Sequence, residues 1–147
     1  GAGAFESLRL EKGYRSLGSD IHTNYNPYES GLGFTVKLKK DVDFIGKSAL
    51  QKIKERPVQK KLTCMILEDS EGMALGTEPI YSNGKAVGYV TSTNYGYFVD
   101  KHIVYGYLPS ELSENGTALE LEYFGKRYPL KVTQEPLLDP ENNRLKS

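Results

Sequence analysis

Hydrophobic positions recur at two different periods along the chain, and the change falls near Pro57. Before it, Ala49, Leu50 and Ile53 form an apolar stripe at three- and four-residue spacing. That stripe predicts a helix over 46–55, which Pro57 ends. Residues 4–11 carry Phe5 and Leu8 at helical spacing, with Glu11 next in register, and predict a short helix. The alternation Leu8, Arg9, Leu10 keeps a strand as the rival reading. Gly13 and Gly18 interrupt regular structure. Asn26-Pro27 predicts a turn into a short helix over 28–30, ended by Gly31 and Gly33. Phe34, Val36 and Leu38 share one face and predict a strand over 33–38, followed by a charged turn over 39–43.

After Pro57 the period becomes two. Residues 61–68 read as a strand with Leu62, Cys64 and Ile66 on one face and Met65 and Leu67 on the other, so both faces are expected to be covered. Strands over 79–82 and 85–91 flank Asn83-Gly84, whose residue types suit the two positive-φ positions of a type I′ turn. Residues 102–108 place Ile103, Tyr105 and Tyr107 on one face. Residues 117–124 alternate Leu119, Leu121 and Tyr123 against Glu120 and Glu122, and a turn at Gly125 leads to 127–133 with Tyr128, Leu130 and Val132 in phase. The fold class read from this pattern is mainly β. A mixed α/β N-terminal part is followed by a C-terminal antiparallel, Greek-key-like β-barrel or sandwich of five or six strands. The polar tail over 139–147 is expected at the surface.

Composition narrows the function classes. The chain has 147 residues, 38% hydrophobic and 26% charged, which is enough for one globular core. Nineteen basic and nineteen acidic residues cancel. The balance argues against a nucleic-acid or anionic-membrane surface, though local basic pockets stay open. No apolar run approaches the roughly 20 residues a membrane helix needs. No signal peptide is read at the start, and Gly1-Ala2-Gly3-Ala4 reads as a cloning remnant or an excision point. The single cysteine, Cys64, excludes an internal disulfide and a multi-thiolate metal site, and its apolar neighbours predict a buried, inert thiol. His22 and His102 lack ligand spacing and read as surface or interface residues. No glycine-rich phosphate loop is present, and Ser7 and Ser92 read as local backbone hydrogen-bonders rather than nucleophiles.

Two features carry candidate chemistry. Among eleven tyrosines, Tyr89, Tyr95, Tyr97, Tyr105 and Tyr107 fall on or near neighbouring strands. They suit either a barrel wall or a stacking surface for a planar heterocycle. Arg9 stands between Leu8 and Leu10 in a segment the pattern would bury, so its guanidinium needs an acidic partner. Glu11 or Glu29 could supply one internally, and a bound acidic ligand could supply one instead.

Several segments resemble a known family. Ser7-Leu8-Arg9-Leu10-Glu11-Lys12-Gly13 resembles S-L-R-L-E-x-G, and Gly18 to Ile21 resembles G-x-D-[IL]. Residues 26–34 resemble T-P-x-E-A-G-L-G-[FW], with Asn26 and Ser30 as substitutions. Residues 43–50 match D-F-I-G-[KR]-x-A-L, residues 88–92 resemble G-x-V-T-S, and residues 103–109 and 116–121 match later landmarks. These are patterns of the aminomethyltransferase (glycine-cleavage T-protein) family. The resemblance runs over nearly the whole chain, in order. Residues 11–15 and the ending over 136–146 are closest to the form fused to FAD-dependent dimethylglycine and sarcosine dehydrogenases.

The resemblance implies that residues 1–57 are the end of a folate-binding domain and 58–147 a C-terminal β-barrel with its tail. It implies tetrahydrofolate as cofactor, with FAD in a missing part of the parent, and a methylated amine as substrate. It places Arg9 in the folate site, with Glu11, Tyr14 and Glu29 as candidate supporting residues. The catalytic aspartate and a pterin-contacting glutamate belong to the missing part, so no catalytic residue and no metal ligand is assigned, and the fragment alone is expected to be inactive. Asn142 and Asn143 stand near the place of a folate-contacting tyrosine of the glycine-cleavage branch, and that contact does not carry over. Ser16-Leu17 is a milder departure. The expected compartment is cytoplasmic or the mitochondrial matrix. The rival class is a non-catalytic regulatory or interdomain packing module. An exposed apolar patch on 1–57 is expected where the missing domains sat, and it would let the fragment self-associate.

Overall fold

The alternation downstream of Pro57 closes on itself. In the computed structural model, which describes residues 1–69 and 71–146, six antiparallel strands form a closed barrel. They are β1 (Lys60–Leu67), β2 (Pro79–Ser82), β3 (Lys85–Gly96), β4 (Lys101–Pro109), β5 (Ala118–Tyr123) and β6 (Lys126–Val132). The order around the barrel is β1-β4-β3-β2-β5-β6, and β6 closes it on β1 through Met65 opposite Val132 and Leu67 opposite Leu130. Three hairpin-linked strands, β2 to β4, bring the chain back beside β1, which is the Greek-key connection. Closure removes every free edge, so each strand has two partners. Asn83 and Gly84 have φ of 50° and 77°, the geometry their residue types predicted for the β2–β3 turn.

Strand alternation makes two cores. The inward cluster holds Met65, Leu67, Ile80, Val90, Val104, Leu108, Leu119, Leu121 and Leu130. The outward cluster holds Leu62, Cys64, Ile103, Tyr105 and Tyr107, together with Leu10 from α1 (Ala2–Glu11). Both faces of β1 and β4 are therefore covered, as the Leu62/Cys64 and Met65/Leu67 phases required. Helix α1 ends in a Schellman turn: Tyr14 N–H donates to the Arg9 carbonyl at 2.8 Å and Gly13 N–H to that of Leu10 at 3.1 Å. Gly13 supplies the positive φ of 73° that this turn needs.

Three expectations over 1–57 are corrected. The strand rival for 4–11 fails, because those residues lie within α1. The helix over 28–30 is a single turn, in which Asn26 Oδ1 accepts from the Tyr28 and Glu29 amides and the Glu29 carboxylate accepts from the Asn26 amide. That reciprocal cap holds one turn, and Gly31, at φ 72°, ends it. The strand over 33–38 is instead a 3-10 turn, Gly33–Thr35, since the closed barrel leaves no edge for another strand to join. Residues 1–57 thus contribute helices and turns with one isolated bridge, Leu17 to Ile21. Helix α2 (Lys47–Lys54) is where its stripe placed it, but it has no buried residue. The tail lies at the surface as expected, with residues 140, 141 and 143–146 exposed, and it forms a short helix, α3 (Asn143–Lys146); just before it Leu138 N–H donates to the Glu11 carbonyl at 2.9 Å. Its last residue, Ser147, lies outside the described residues.

Candidate functional site

Helix α1 lies against β3 with a buried side that holds Leu10 and three polar residues. Its buried side includes Ser7, Arg9 and Glu11, while Phe5 and Leu8 are exposed. Burying three polar groups is affordable only where each finds partners. Ser7 Oγ donates to the Tyr95 carbonyl at 2.7 Å, a contact 88 residues distant and not the local one its sequence position suggested. Ser92 likewise meets Ser19 Oγ at 3.2 Å.

Arg9 is 6% exposed and its acidic partners are Asp20 and Glu6, not Glu11 or Glu29. Nη1 donates to Asp20 Oδ2 at 2.7 Å and to the Tyr14 carbonyl at 3.2 Å. Nε and Nη2 both donate to Glu6 Oε2, at 2.9 and 2.7 Å. The two carboxylates differ in kind. Asp20 is fully buried, and it also accepts from the Ser16 amide at 2.9 Å and from Thr91 Oγ1 at 2.5 Å. Its carbonyl accepts from the Tyr107 hydroxyl at 2.8 Å. Glu6 keeps 39% of its side chain in solvent, one helical turn from Arg9. One edge of the guanidinium is thus anchored to the barrel, and the other is held by a surface residue that can move away.

The three expected supporting residues separate. Tyr14 contributes its carbonyl to Arg9 while its ring is exposed. Glu29 serves the turn at Asn26 and does not reach Arg9. Glu11 is 1% exposed and points the other way around α1, where Oε1 accepts from the Phe98 and Val99 amides at 2.7 and 3.2 Å. Its Oε2 is buried without a hydrogen-bond partner among the described residues.

A second ionic group borders the same end of α1. Arg15 pairs with Glu135 and lies 5.6 Å from the Tyr105 ring centroid, and Lys12 Nζ reaches the Asp139 carbonyl at 2.6 Å. Gly13, Tyr14, Arg15, Phe34 and Pro136 line an open cavity of about 500 Å³ there. Tyr105 and Tyr107 are wall residues at 2% exposure, Tyr25 stacks on Tyr107 at 3.4 Å between centroids, and Tyr97 is exposed. Burial pushes the Cys64 thiol up to about 12 and the Tyr107 hydroxyl up to about 12. Burial lowers His102, which sits beside Thr93 Oγ1 at 3.0 Å. Among the described residues no group of three or more His, Cys, Asp or Glu is placed to hold a metal, and no helix is long and apolar enough to cross a membrane.

Asp20, Glu6 and Arg15 escaped the sequence reading as site residues. Asp20 was visible only as part of a short motif, and nothing local marks it as the partner of a residue eleven positions earlier.

Residues 60–139 match the family model described as glycine cleavage T-protein C-terminal barrel domain, and residues 1–40 match the GCVT N-terminal domain. Human mitochondrial dimethylglycine dehydrogenase is 43% identical over 147 residues, which are 99% of this chain and 17% of that protein. Mouse mitochondrial sarcosine dehydrogenase is 38% identical over 151 residues, 97% of this chain and 16% of that protein. The crystal structure of glycine cleavage system aminomethyltransferase T from Bartonella henselae superposes with a TM-score of 0.83 at 27% identity, covering 93% of this chain and 38% of that one. The chain spans about one sixth of the length of the two dehydrogenases it matches.

Proposed function

The chain belongs to the glycine cleavage T-protein C-terminal barrel domain family, and on that premise we propose that it is the C-terminal part of a tetrahydrofolate-dependent aminomethyl-transfer module. The parent is a dimethylglycine- or sarcosine-dehydrogenase type of oxidoreductase, with FAD in a region outside this chain and a methylated amine as substrate. The names of the two dehydrogenases support a mitochondrial matrix setting. Residues 1–57 end the folate-binding domain and 58–147 form the barrel and tail. On this reading the fragment alone is inactive, because the proton-handling carboxylate lies outside it.

The observation that carries this reading is the asymmetric setting of Arg9. Asp20 holds Nη1 from the barrel side, so the guanidinium cannot swing. The Nε/Nη2 edge donates both of its bonds to a single oxygen, Glu6 Oε2, and is the edge to which a ligand carboxylate could present two oxygens. We read Glu6 as the stand-in for an acidic group of the folate, which fits a site of this donor set. Bound tetrahydrofolate supplies the nucleophilic nitrogen that accepts the one-carbon unit. What this chain's residues do is bind and orient: Asp20, Thr91 and Tyr107 fix Arg9, and Arg9 fixes the ligand's acidic end.

The same pairing favours one alternative, a regulatory or interdomain packing module, since Arg9 already has internal acids. Calorimetry with a stable reduced-folate analogue separates the two in the full-length parent. On the folate reading, Arg9→Ala costs about 1.5–3 kcal/mol of binding, as for a charge-assisted hydrogen bond. Glu6→Gln leaves the Arg9–Asp20 pair in place and tightens binding by removing the competitor. A parent that binds no folate analogue, or a Glu6→Gln variant that binds more weakly, overturns the assignment.

A further inference from the structure

The chain holds two methionines, and the fold treats them oppositely. Met65, on β1, is 0% exposed and belongs to the inward cluster, whereas Met73, in the loop between β1 and β2, is 50% exposed. That loop is held on both sides of Met73. Gly72 N–H donates to the Asp69 carbonyl at 3.2 Å, Ala74 is buried in the inward cluster, and the Leu75 and Gly76 amides donate to the Glu78 carboxylate at 2.7 and 2.8 Å. The thioether therefore stands at a fixed place on the surface. Facing it is the Tyr123 hydroxyl, which donates to Met73 Sδ at 3.9 Å. The Tyr123 ring is itself positioned, packed on the inward cluster and edge-on to Phe124 at 4.7 Å between centroids. A thioether sulfur is a weak acceptor, so the hydroxyl is aimed at a partner that uses little of its donor capacity.

We propose that Met73 is a reversible oxidation site, taking a small hydroperoxide as its reagent, and that Tyr123 is placed to hold the sulfoxide oxygen. The sulfur lone pair attacks one oxygen of hydrogen peroxide, the O–O bond breaks and an S–O bond forms. The attacked oxygen gives its proton through water to the departing hydroxide, so the products are methionine sulfoxide and water. Sulfur loses two electrons and the peroxide gains them. An oxygen added on the Tyr123 side of the sulfur comes within the ordinary O–H···O length of about 2.7 Å, which turns a weak hydrogen bond into a strong one. Oxidation of a core methionine disrupts packing, but half of Met73 lies in water and its sulfur is no part of the inward cluster. The modification therefore tightens the β1–β2 loop on β5 instead of loosening it. This reaction needs neither folate nor flavin.

Peptide mass spectrometry of the full-length parent and of the 147-residue chain, each treated with hydrogen peroxide at neutral pH, tests the site. In both, Met73 is expected to gain one oxygen at least about tenfold faster than Met65, whose reaction needs a local opening, and the two rates converge in denaturant. A mixture of the two epimer-specific methionine sulfoxide reductases is expected to remove that oxygen from the folded protein. After oxidation, amide hydrogen exchange over 72–76 should slow several-fold in the wild type but not in Tyr123→Phe, which keeps the ring and lacks the donor. Met73→Leu, which has no sulfur to oxidise, should lose the response. Equal oxidation of Met65 and Met73 in the folded parent overturns the site, and a sulfoxide that resists both reductases overturns its reversibility. Faster exchange after oxidation, or an equal slowing in Tyr123→Phe, overturns the role of the hydroxyl. A slowing that persists in Met73→Leu assigns the effect to another residue and overturns the proposal.

Discussion

Arg9 and Asp20, eleven residues apart, form a buried ion pair at 2.7 Å that joins α1 to the barrel. Asp20 reaches β3 through Thr91 and β4 through Tyr107, so one carboxylate and its carbonyl tie three elements together. Removing Asp20 leaves a guanidinium out of water with only Glu6 to balance it. Asp20→Ala is therefore expected to destabilise the chain by about 3–5 kcal/mol, the cost of breaking a buried pair from one side. The double variant Arg9→Met with Asp20→Leu should lose less than the sum of the single changes. Urea denaturation at neutral pH measures both, and additive losses would show that the two residues act independently.

Alkaline pH should loosen the outward core. Burial raises Cys64 from 9.0 to about 12 and Tyr107 from 10.0 to about 12, and it raises Tyr105 and Tyr25 as well. Each group is protonated in the folded chain where its unfolded counterpart has begun to ionise. The unfolded state then binds fewer protons, and stability falls as pH rises. The contribution is whole below about 9, the unfolded thiol value, and is lost progressively toward 12. A urea midpoint that is level from pH 7 to 8.5 and drops by pH 11 is the expected profile. Under native conditions at pH 8, Cys64 should stay silent to a thiol reagent and react stoichiometrically in denaturant. A midpoint independent of pH up to 11 would show that these groups remain hydrated.

Strands β3 and β4 approach too closely for side chains at two positions. A Cβ at Gly106 would meet the Tyr89 carbonyl oxygen at 2.5 Å and Ile80 Cδ1 at 2.9 Å. At Gly88 it would meet the Tyr107 carbonyl oxygen at 2.1 Å. The obstacle in both cases is backbone, which cannot rotate away. Gly106→Ala and Gly88→Ala should each cost about 3 kcal/mol or more, at the upper end of overpacking. Gly3→Ala, which meets nothing within 4 Å, serves as the neutral comparison. Thermal melts rank the three, and a wild-type melting point for Gly106→Ala would contradict the packing.

Much of the barrel was legible because its signals are short-range. The Asn83-Gly84 turn, the two phases of β1 and the Tyr128/Leu130/Val132 alternation each depend on neighbours within a few residues. The misreading of residues 33–38 had the opposite origin. Phe34, Val36 and Leu38 alternate like a strand, but a strand exists only where another offers its edge, and a closed barrel offers none. For the same reason the reading of Arg9 needed an acid and named Glu11 and Glu29, the carboxylates near it in sequence and in motif. The turn at Gly13 and the bridge between Leu17 and Ile21 bring Asp20 there instead.

Residue order alone was enough for the family, the strand count within one, the burial of Cys64 and the need of Arg9 for an acidic partner. These follow from local pattern, residue chemistry and ordered motifs along the chain. Long-range contacts in the fold set which acids Arg9 holds and which of its edges faces outward. They also set Glu11 against Phe98 and Val99, 87 and 88 residues away, with one oxygen unmet among the described residues. The physical reason is that hydrogen-bond partners of buried charges are chosen by whichever backbone the fold brings within about 3 Å, and that proximity has no signature in residue order.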